Sequence, residues 1–449
     1  MSQAIPKAQA PDDAGFLYHL RAPNDDLLGY FEHLAKQGDF VQLGSFPAYF
    51  VNHPDYAQQI LVTQATSFSK PRSVKYTVEQ MFGTQNLFSS DDAVWKALRK
   101  AMQPAFHMRR ISGYLDLMVA SASDYVNSWQ DGQQVNMEQA MMDVTMSVTT
   151  KALFSQDLVD ADAGQAILEF LDLFNQRITS PLPVPAWLPL PSNSKMKSAL
   201  ETINALVMPI IEERKQSGED AGDLLSMLLD AQQADDTGIL TDLQVRNEVL
   251  NLFAAGYEVT GNTLAFTLYL IATHENIAEK LYAEIDTALA DNNGQITLEA
   301  VQAMPYLEQV LKESMRLYPV TAVVSRTATE RVQIDDYVLP KNAQIFVAPW
   351  TLHRREDIFP QPELFQPERF APQNEATIPK HAYLPFSTGP RICLGNAFAM
   401  LQMQATLASI LSAYRLQVPD DYTFEPFWRF NTRPKNGMPM ILSARCHRA

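Results

Sequence analysis

The amino-acid sequence predicts a mainly α-helical protein with a small β region, an α+β fold. Helical patterns dominate residues 118–229 and 241–274, whereas strand-like runs are short and come in pairs around turns. A third observation is a loop with two glycines, residues 386–395, that leads into a segment compatible with a helix. Helices therefore carry most of the predicted fold, and this loop is the first candidate for a functional site.

The predicted strands form two pairs, each joined by a turn. Residues 40–43 and 48–51 flank a turn that contains glycine and proline and are expected to start a small sheet. Residues 332–338 and 343–348 flank a Pro-Lys-Asn turn and are expected to extend that sheet.

The chain between these pairs begins with a helix that is expected to open at His53 and Pro54, because proline is favoured in a first helical turn. Residues 71–90 are then expected to be irregular. This segment carries large apolar side chains, namely Tyr76, Met81, Phe82, Leu87 and Phe88.

A break is predicted within the helical pattern of residues 118–229, because five prolines in residues 181–191 exclude a regular helix there. The apolar side chains just before the break follow a helical spacing, which is typical of a binding wall and equally of a core. They are Phe170, Leu171, Phe174 and Ile178.

The longest helix is expected to begin at a Thr/Gln capping box and to span residues 241–274. At 1.5 Å per residue this helix is roughly 50 Å long. Its middle is apolar on all sides, which indicates burial. Because Gly256, Glu258 and Thr260 break the local rules for a buried helix together, they suggest a functional site.

A further helix is expected over residues 305–318, where Glu313 and Arg316 lie side by side at a spacing of three. Such an isolated pair is more often part of a solvated helix face.

The loop at residues 386–395 presents Cys393 just before a predicted helix. The helix N-terminus and the charge of Arg391 both favour the thiolate form. Gly389 and Gly395 are expected to permit a turn and a close approach that side chains would block. A single thiolate on a rigid turn suits one axial bond to a haem iron, whereas an ordinary buried cysteine is the alternative.

The loop matches the pattern Phe-x-x-Gly-x-Arg-x-Cys-x-Gly, with Phe386, Gly389, Arg391, Cys393 and Gly395 at the fixed places. In this it resembles the haem-binding loop of the cytochromes P450, and the resemblance extends from about residue 40 to the C-terminus. It implies the cytochrome P450 fold as a single domain over residues 1–449, with a long central helix over haem b (iron protoporphyrin IX). Residues 1–39 would form an N-terminal segment and first helix, with neither a membrane anchor nor a fused reductase.

The resemblance also assigns roles to the long helix, in the segment that looks like the family's oxygen-binding groove. Ala255, Gly256 and Glu258 match that groove, but Val259 replaces the threonine that usually helps to deliver protons. Thr260 follows, yet one helical step turns its side chain by about 100°. Proton delivery is expected through Glu258, Thr260 and water, or through a hydroxyl of the substrate; poor coupling or the use of peroxide are the alternatives.

Other residues match family positions outside that helix. Those expected to bind or shield the haem, besides the loop, are Trp95, Arg99 and Arg326, while Phe386 would shield the thiolate. Glu313, Arg316 and Arg369 are expected to form a structural network beneath the haem. The residues expected to line the substrate pocket are Tyr76, Phe82, Leu87, Phe88, Phe174, Ala255, Val259, Val323, Val324 and Phe430.

Composition indicates the cellular compartment of the protein and excludes some classes of binding partner. The net charge of −16 argues against nucleic acid and against anionic membrane surfaces as partners. Two cysteines far apart in sequence, Cys393 and Cys446, fit a reducing compartment. Because residues 1–14 lack the pattern of a signal peptide and no apolar run spans a bilayer, a cytoplasmic protein is expected. Residues 96–110 carry five basic and no acidic side chains, either as a docking site or as a solvated helix face.

The function predicted from these observations is insertion of one oxygen atom from O2 into an apolar small molecule. Electrons would come from a ferredoxin-type or flavodoxin-type donor and its reductase. A fatty acid, a terpenoid, a steroid or an aromatic compound would fit the apolar pocket residues equally well. Arg72 and Lys75 would anchor a carboxylate or be solvated charges. The alternatives are a peroxide-using or non-monooxygenase member of the same fold, and a haem-binding sensor without turnover.

Overall fold

The computed structural model describes residues 5–9, 26–155, 161–178, 184–236 and 238–445. Helices contain 58% of its residues and its strands are short, so the predicted mainly α-helical α+β class is confirmed. None of the helices in these ranges is both long and apolar enough to cross a membrane. Cys446 lies outside the described residues.

The α-helices range in length from 4 residues to the 32 residues of α11. They are α1 (Leu27–Ala35), α2 (Pro54–Gln58), α3 (Arg72–Phe82), α4 (Asp92–Met102), α5 (Met108–Ile111), α6 (Leu115–Ser128), α7 (Met137–Phe154), α8 (Ala161–Ile178), α9 (Pro191–Ser217), α10 (Leu224–Gln233), α11 (Asp242–Thr273), α12 (Glu275–Asp291), α13 (Leu298–Gln302), α14 (Pro305–Leu317), α15 (Pro349–Leu352), α16 (Pro372–Glu375) and α17 (Asn396–Ala413).

The strands are short. They are β1 (Phe40–Gln42), β2 (Ala48–Val51), β3 (Phe68–Ser69), β4 (Gln134–Asn136), β5 (Val324–Ala328), β6 (Val332–Ile334), β7 (Tyr337–Leu339), β8 (Gln344–Val347), β9 (Tyr414–Gln417), β10 (Pro426–Trp428), β11 (Thr432–Pro434) and β12 (Pro439–Ala444).

The described residues fall into two compact units. The first contains those within 1–71, 308–393 and 424–435, and the second contains those within 72–307, 394–423 and 436–449. The single domain over residues 1–449 stays a prediction.

The first unit is built on a five-stranded sheet in the order β1-β2-β8-β5-β3. The predicted pair of strands at its edge is confirmed, since β1 and β2 pair antiparallel. Alternate side chains of β5 and β8 are buried, as expected for strands that cover a core. Separate hairpins, β6 with β7 and β10 with β11, complete the strands of this unit.

The prediction for residues 332–338 is wrong. Instead of one strand that extends the sheet, β6 and β7 form a hairpin of their own. Asp335 adopts a left-handed conformation with φ of 44°, which reverses the chain after Ile334. The second half of the predicted pair is β8, which does enter the sheet, between β2 and β5.

The second unit contains the long helix α11. Its N-cap is Thr241, whose side chain accepts a hydrogen bond from the Gln244 N–H, and its C-cap is His274. The predicted start and length are therefore confirmed. Within this unit α11 packs on α7, where a Cβ on Gly256 would lie 3.0 Å from Thr149 Oγ1. Strands β4, β12 and β9 form a small sheet in the same unit.

The irregular segment predicted at residues 71–90 is partly wrong. Residues Arg72–Phe82 form α3, an amphipathic helix that buries Val78, Met81 and Phe82. It ends at Gly83, whose φ of 91° a side chain would oppose. Only residues 83–91 are irregular. Proline at position 71 precedes the helix instead of breaking it.

Candidate functional site

Cys393 lies at the end of a closed loop in the first unit. Its N–H donates to the Phe386 carbonyl at 2.9 Å, and the Ser387 N–H donates to the Leu384 carbonyl at 3.1 Å. The side chain of Cys393 is exposed, so the alternative of an ordinary buried cysteine is wrong. Ser387 has a φ of 60°, a left-handed value that costs roughly 1–2 kcal/mol without glycine. The loop thus holds a sulfur outward in a fixed place.

Glycine is required at one of the two predicted positions. Gly389 has a φ of 72°, and a Cβ there would lie 2.1 Å from the Leu61 carbonyl oxygen. Gly395 has an ordinary φ of −89° and is the N-cap of α17. A Cβ on Gly395 would meet no described atom closer than Phe106 Cε1 at 3.8 Å. The reason predicted for Gly389 is therefore confirmed, whereas the close approach predicted at Gly395 stays a prediction.

Within the first unit, the side chain of His353 binds the backbone just before the cysteine loop. Its Nε2 accepts a hydrogen bond of 2.7 Å from the Leu384 N–H, so the proton of the neutral ring resides on Nδ1. Burial, with Arg316 and Arg354 nearby, lowers the pKa of His353 to about 3. Sequence reasoning missed this residue, because a lone histidine after a short helix carries no pattern of its own.

The predicted structural network is present in the first unit. Glu313 and Arg316 are fully buried, with Arg316 Nε 2.7 Å from Glu313 Oε2 and Arg316 Nη2 2.8 Å from Oε1. Arg369 Nε donates to Glu313 Oε1 at 3.2 Å. Arg316 Nη1 also donates to the His353 carbonyl at 3.0 Å. The network therefore connects α14 to the residue that holds the cysteine loop.

In the second unit, one stripe of α11 is left uncovered. Ala255 is exposed, and Leu252, Gly256 and Val259 are only partly buried, while residues 260–268 are buried throughout. Residues at spacings of three, four and seven lie on one helix face. Small and aliphatic side chains on that face leave room for a flat apolar group.

Glu258 lies beside this stripe and is itself buried. Its Oε2 accepts a hydrogen bond of 2.9 Å from Asn175 Nδ2 on α8. Thr260 is buried, and the Val259 carbonyl accepts a hydrogen bond of 2.9 Å from Thr263 Oγ1. Sequence reasoning missed Asn175, although an amide among apolar helix residues was a usable signal.

Some predicted pocket residues of the second unit form an aromatic cluster. Phe82 meets Phe170 and Phe174 edge to face, with ring centroids 5.4 and 5.2 Å apart. All three are buried. Tyr76, one helical turn before Gln80 on α3, is 40% exposed.

Leu87 and Phe88 lie in the segment 83–91, and three successive side chains of α11 bind the backbone of this segment and of Phe82 just before it. The Leu87 N–H donates to Glu248 Oε1 at 2.5 Å, Asn247 Nδ2 donates to the Thr84 carbonyl at 2.9 Å, and Arg246 Nη1 donates to the Phe82 carbonyl at 3.3 Å. Burial raises the pKa of Glu248 to about 7. These three residues carried no motif and were missed by sequence reasoning.

The pocket residues predicted in the first unit are not gathered in one place. Val324 lies in the core on one face of the sheet, and Val323 packs against a second cluster that contains Phe50. Phe430 lies between β10 and β11 and is partly buried. Their role in a pocket stays a prediction.

The residues predicted to bind haem propionates occupy three elements. Trp95 and Arg99 lie one turn apart on α4. Arg326 is buried on β5, where Nη1 donates to the Ser325 carbonyl at 2.9 Å. Arg391 precedes Cys393 by two residues and is partly buried. Their contact with a haem stays a prediction.

The donor set fits a haem better than an isolated metal ion. Within the described ranges, no group of three or more His, Cys, Asp or Glu side chains could hold such an ion. One exposed sulfur suffices for an iron whose other ligands are porphyrin nitrogens. The uncovered stripe on α11 offers the apolar surface that a porphyrin needs.

Comparisons with known proteins agree with this site. The sequence model of the family Cytochrome P450 matches residues 16–438. Two proteins of Streptomyces melanosporofaciens are each 30% identical: "Cyclooctatin synthase", over 87% of this chain and 85% of that protein, and "Cyclooctat-9-en-7-ol 5-monooxygenase", over 91% and 89%. The crystal structure of the cytochrome P450DA heme domain superposes with a TM-score of 0.87 at 24% identity, over 99% of both chains.

Proposed function

The chain belongs to the cytochrome P450 family, and we propose that it uses the sulfur of Cys393 as its iron ligand. Membership makes it a monooxygenase, an oxidoreductase that uses haem b, O2 and electrons from redox partners. The observation that supports Cys393 is its exposed side chain on a loop closed by the Phe386 carbonyl. The thiolate gives the iron electron density, which favours cleavage of the O–O bond.

The haem would be held by groups from several elements. Trp95, Arg99, Arg326 and Arg391 would bind its two propionates, as the resemblance to the family implies. Phe386 would limit the access of water to the Cys393 sulfur. When bound, the haem supplies the activation of molecular oxygen that no side chain of the chain can perform.

Proton delivery in this protein rests on Glu258. The Asn175 amide, 2.9 Å from Oε2, fixes the orientation of the carboxylate and stabilises its charge. Val259 places no hydroxyl on the uncovered stripe, and Thr260 is turned away by about 100°. Glu258 and ordered water therefore form the proton route.

The substrate has an apolar body. One relative is named for the oxidation of cyclooctat-9-en-7-ol, an unsaturated alcohol by its name. This supports a terpenoid or another bulky hydrocarbon skeleton, and a fatty acid, a steroid and an aromatic compound remain members of the panel to be tested.

The electron donor is proposed to be an acidic ferredoxin or flavodoxin. Four basic side chains of residues 96–110 are exposed in a chain whose net charge is −16. They are Lys96, Lys100, Arg109 and Arg110. Such a patch attracts an acidic partner, and the attraction weakens as salt is added.

The experiment is turnover under isotopically labelled oxygen gas, with a ferredoxin, its reductase and a panel of lipids and terpenoids. A product that carries one labelled oxygen atom supports the proposal. A product formed only from added peroxide, without label from the gas, would favour the second candidate, a peroxide-using enzyme. Val259 is the observation that favours this second candidate.

A further inference from the structure

Arg177 on α8 is a buried cation in contact with two neutral side chains. It is 8% exposed. Its Nη1 donates to Gln80 Oε1 at 3.2 Å, and its Nη2 donates to Asn193 Oδ1. Its Nε has no hydrogen-bond partner among the described residues. No carboxylate in the described part of the chain pairs with this guanidinium.

Such a position is unusual for a charged side chain. Arginine is almost never buried unless its charge is paired. Arg214 in the same unit is a partly buried arginine whose charge is paired, because its Nη1 lies 2.9 Å from the buried carboxylate of Asp223. Burial lowers the pKa of Arg177, and the charge of Tyr76 acts on it in the opposite direction. Among the residues that the structure describes, the charge of Arg177 therefore has no anionic partner.

The surroundings of Arg177 are apolar on one side. Phe170, Phe174 and Arg177 lie at spacings of four and three, on one face of α8. Phe82 of α3 packs against both phenylalanine rings, and Gln80 of the same helix contacts the guanidinium. The aromatic rings and the guanidinium are thus neighbours. An amphipathic acid could contact the rings with its hydrocarbon part and the guanidinium with its carboxylate.

The two cations considered from the sequence as carboxylate anchors are less suitable. Lys75 is ion-paired with Asp91. Arg72 is exposed to solvent at the start of α3, where water and salt screen its charge. Arg177 is the better candidate because its charge is buried and uncompensated.

We propose that Arg177 binds the carboxylate of an amphipathic substrate whose hydrocarbon part lies along Phe82, Phe170 and Phe174. This rests on the proposed function, since Phe82 and Phe174 belong to the predicted pocket and Phe170 was predicted to line it or to lie in the core. It narrows the substrate class to long-chain or terpenoid acids. In this respect the substrate differs from the alcohol named for the relative.

The test compares acids with their alcohols on the haem-loaded protein. Decanoate, tetradecanoate and geranylgeranoate, each beside the corresponding primary alcohol, are titrated at neutral pH while the absorbance of the ferric haem is recorded. The wild type is expected to bind at least one acid roughly 10-fold to 100-fold tighter than its alcohol. Equal or weaker binding of every acid would overturn the proposal without any variant.

Two substitutions sharpen the result. Arg177→Gln is expected to remove the preference for the acid, because the affinity for the acid should fall more than the affinity for the alcohol. Arg177→Lys is expected to retain part of the preference for the acid. The control is Arg72→Gln, since Arg72 is the exposed arginine at the start of α3 that was also considered as a carboxylate anchor. Loss of the preference in the control and not in Arg177→Gln would contradict the assignment.

Failure of the proposed function would be visible separately. A protein that lacks the reduced, carbon monoxide-bound spectrum of a haem thiolate would refute the proposed function. A protein that has this spectrum but does not distinguish acids from alcohols would refute the anion site alone.

Discussion

In the first unit, Glu313 shares its carboxylate between Arg316 and Arg369, whereas the charges buried around α8 and α11 in the second unit contact neutral groups. These second-unit side chains are Arg177, Arg246, Glu248 and Glu258. The first arrangement is complete, since both carboxylate oxygens have cationic donors. In the second, each charge contacts neutral groups and has no ion-pair partner among the described residues.

The difference indicates different tasks. A complete ionic network holds one geometry and loses much when a partner is removed. A charge held by neutral groups keeps its orientation and can still exchange a proton or bind a ligand of opposite charge. We therefore infer that the first unit fixes the cysteine loop, while the second carries the proton route and the substrate contacts.

The largest expected effect is that of Glu313→Gln. The substitution leaves two arginines without their counter-charge in a dry environment, which costs about 3–5 kcal/mol of the free energy of unfolding. Urea unfolding of the haem-loaded protein measures this loss. Lys312→Gln is the matched control on the same helix, because Lys312 pairs with the partly exposed Glu308 and Glu375, and it should cost about 1 kcal/mol or less. Equal losses of unfolding free energy in the two variants would contradict the special role of the buried Glu313 network.

A smaller effect is expected from the pH dependence of Glu248. Burial raises its pKa from the ordinary value of 4.5 to about 7, so the folded state binds this proton more tightly than the unfolded state. The associated stability is present below pH 4.5 and is lost as the pH rises through about 7, by roughly 3 kcal/mol in all. Glu248→Gln should remove this loss and keep an acceptor for the Leu87 N–H.

The measurement is the free energy of unfolding of both proteins across this pH range. His353 acts in the opposite direction, because its lowered pKa costs stability as the pH falls below the ordinary value of 6.5. The difference between wild type and Glu248→Gln cancels that contribution. A difference that does not vary with pH would show that Glu248 is not the titrating group.

Asn175→Leu tests the neutral partner of Glu258. Without the amide donor the carboxylate loses a charge-assisted hydrogen bond of about 1.5–3 kcal/mol and its fixed orientation. The fraction of reducing equivalents that ends in product should fall several-fold, with more peroxide released. Gln176→Ala is the control, since its exposed side chain bonds to Asp172 on the same helix. Unchanged coupling in Asn175→Leu would remove Glu258 from the proton route.

The smallest effect is expected from Val259→Thr, which adds a hydroxyl to the uncovered stripe of α11. The fraction of reducing equivalents recovered as product should rise, because the hydroxyl offers a second proton donor beside Glu258. Product formation and peroxide release, measured together, check this. If both stay at the wild-type level, Val259 does not limit proton delivery.

Much of this arrangement could be predicted from the sequence where a fixed spacing constrains chemistry. The loop of Cys393 and the capped helix with Glu258 each combine residue types that few other structures explain, whereas the pair Glu313 and Arg316 is informative only together with the resemblance to the family. The prediction went wrong where local signals have two meanings. Proline at position 71 is compatible with an irregular segment and also with the residue just before a helix, which is its position before α3. Residues 332–338 read as one strand, although the chain reverses at Asp335.

The rest depends on contacts that sequence does not encode locally. His353, Asn175 and Glu248 act through partners 31, 83 and 161 residues away. A single polar residue in an apolar helix signals that some partner exists, but only the fold supplies its identity. That Arg177 contacts only neutral side chains among the described residues likewise becomes visible only in the fold.

The most direct test of the account is the absorbance of the reduced, carbon monoxide-bound protein in the wild type, Cys393→Ser and Cys446→Ser. Thiolate ligation by Cys393 predicts a strongly red-shifted Soret band in the wild type and in Cys446→Ser, and its loss in Cys393→Ser. A wild-type band at the position of histidine-ligated haem, or a red-shifted band that survives in Cys393→Ser, would contradict the account.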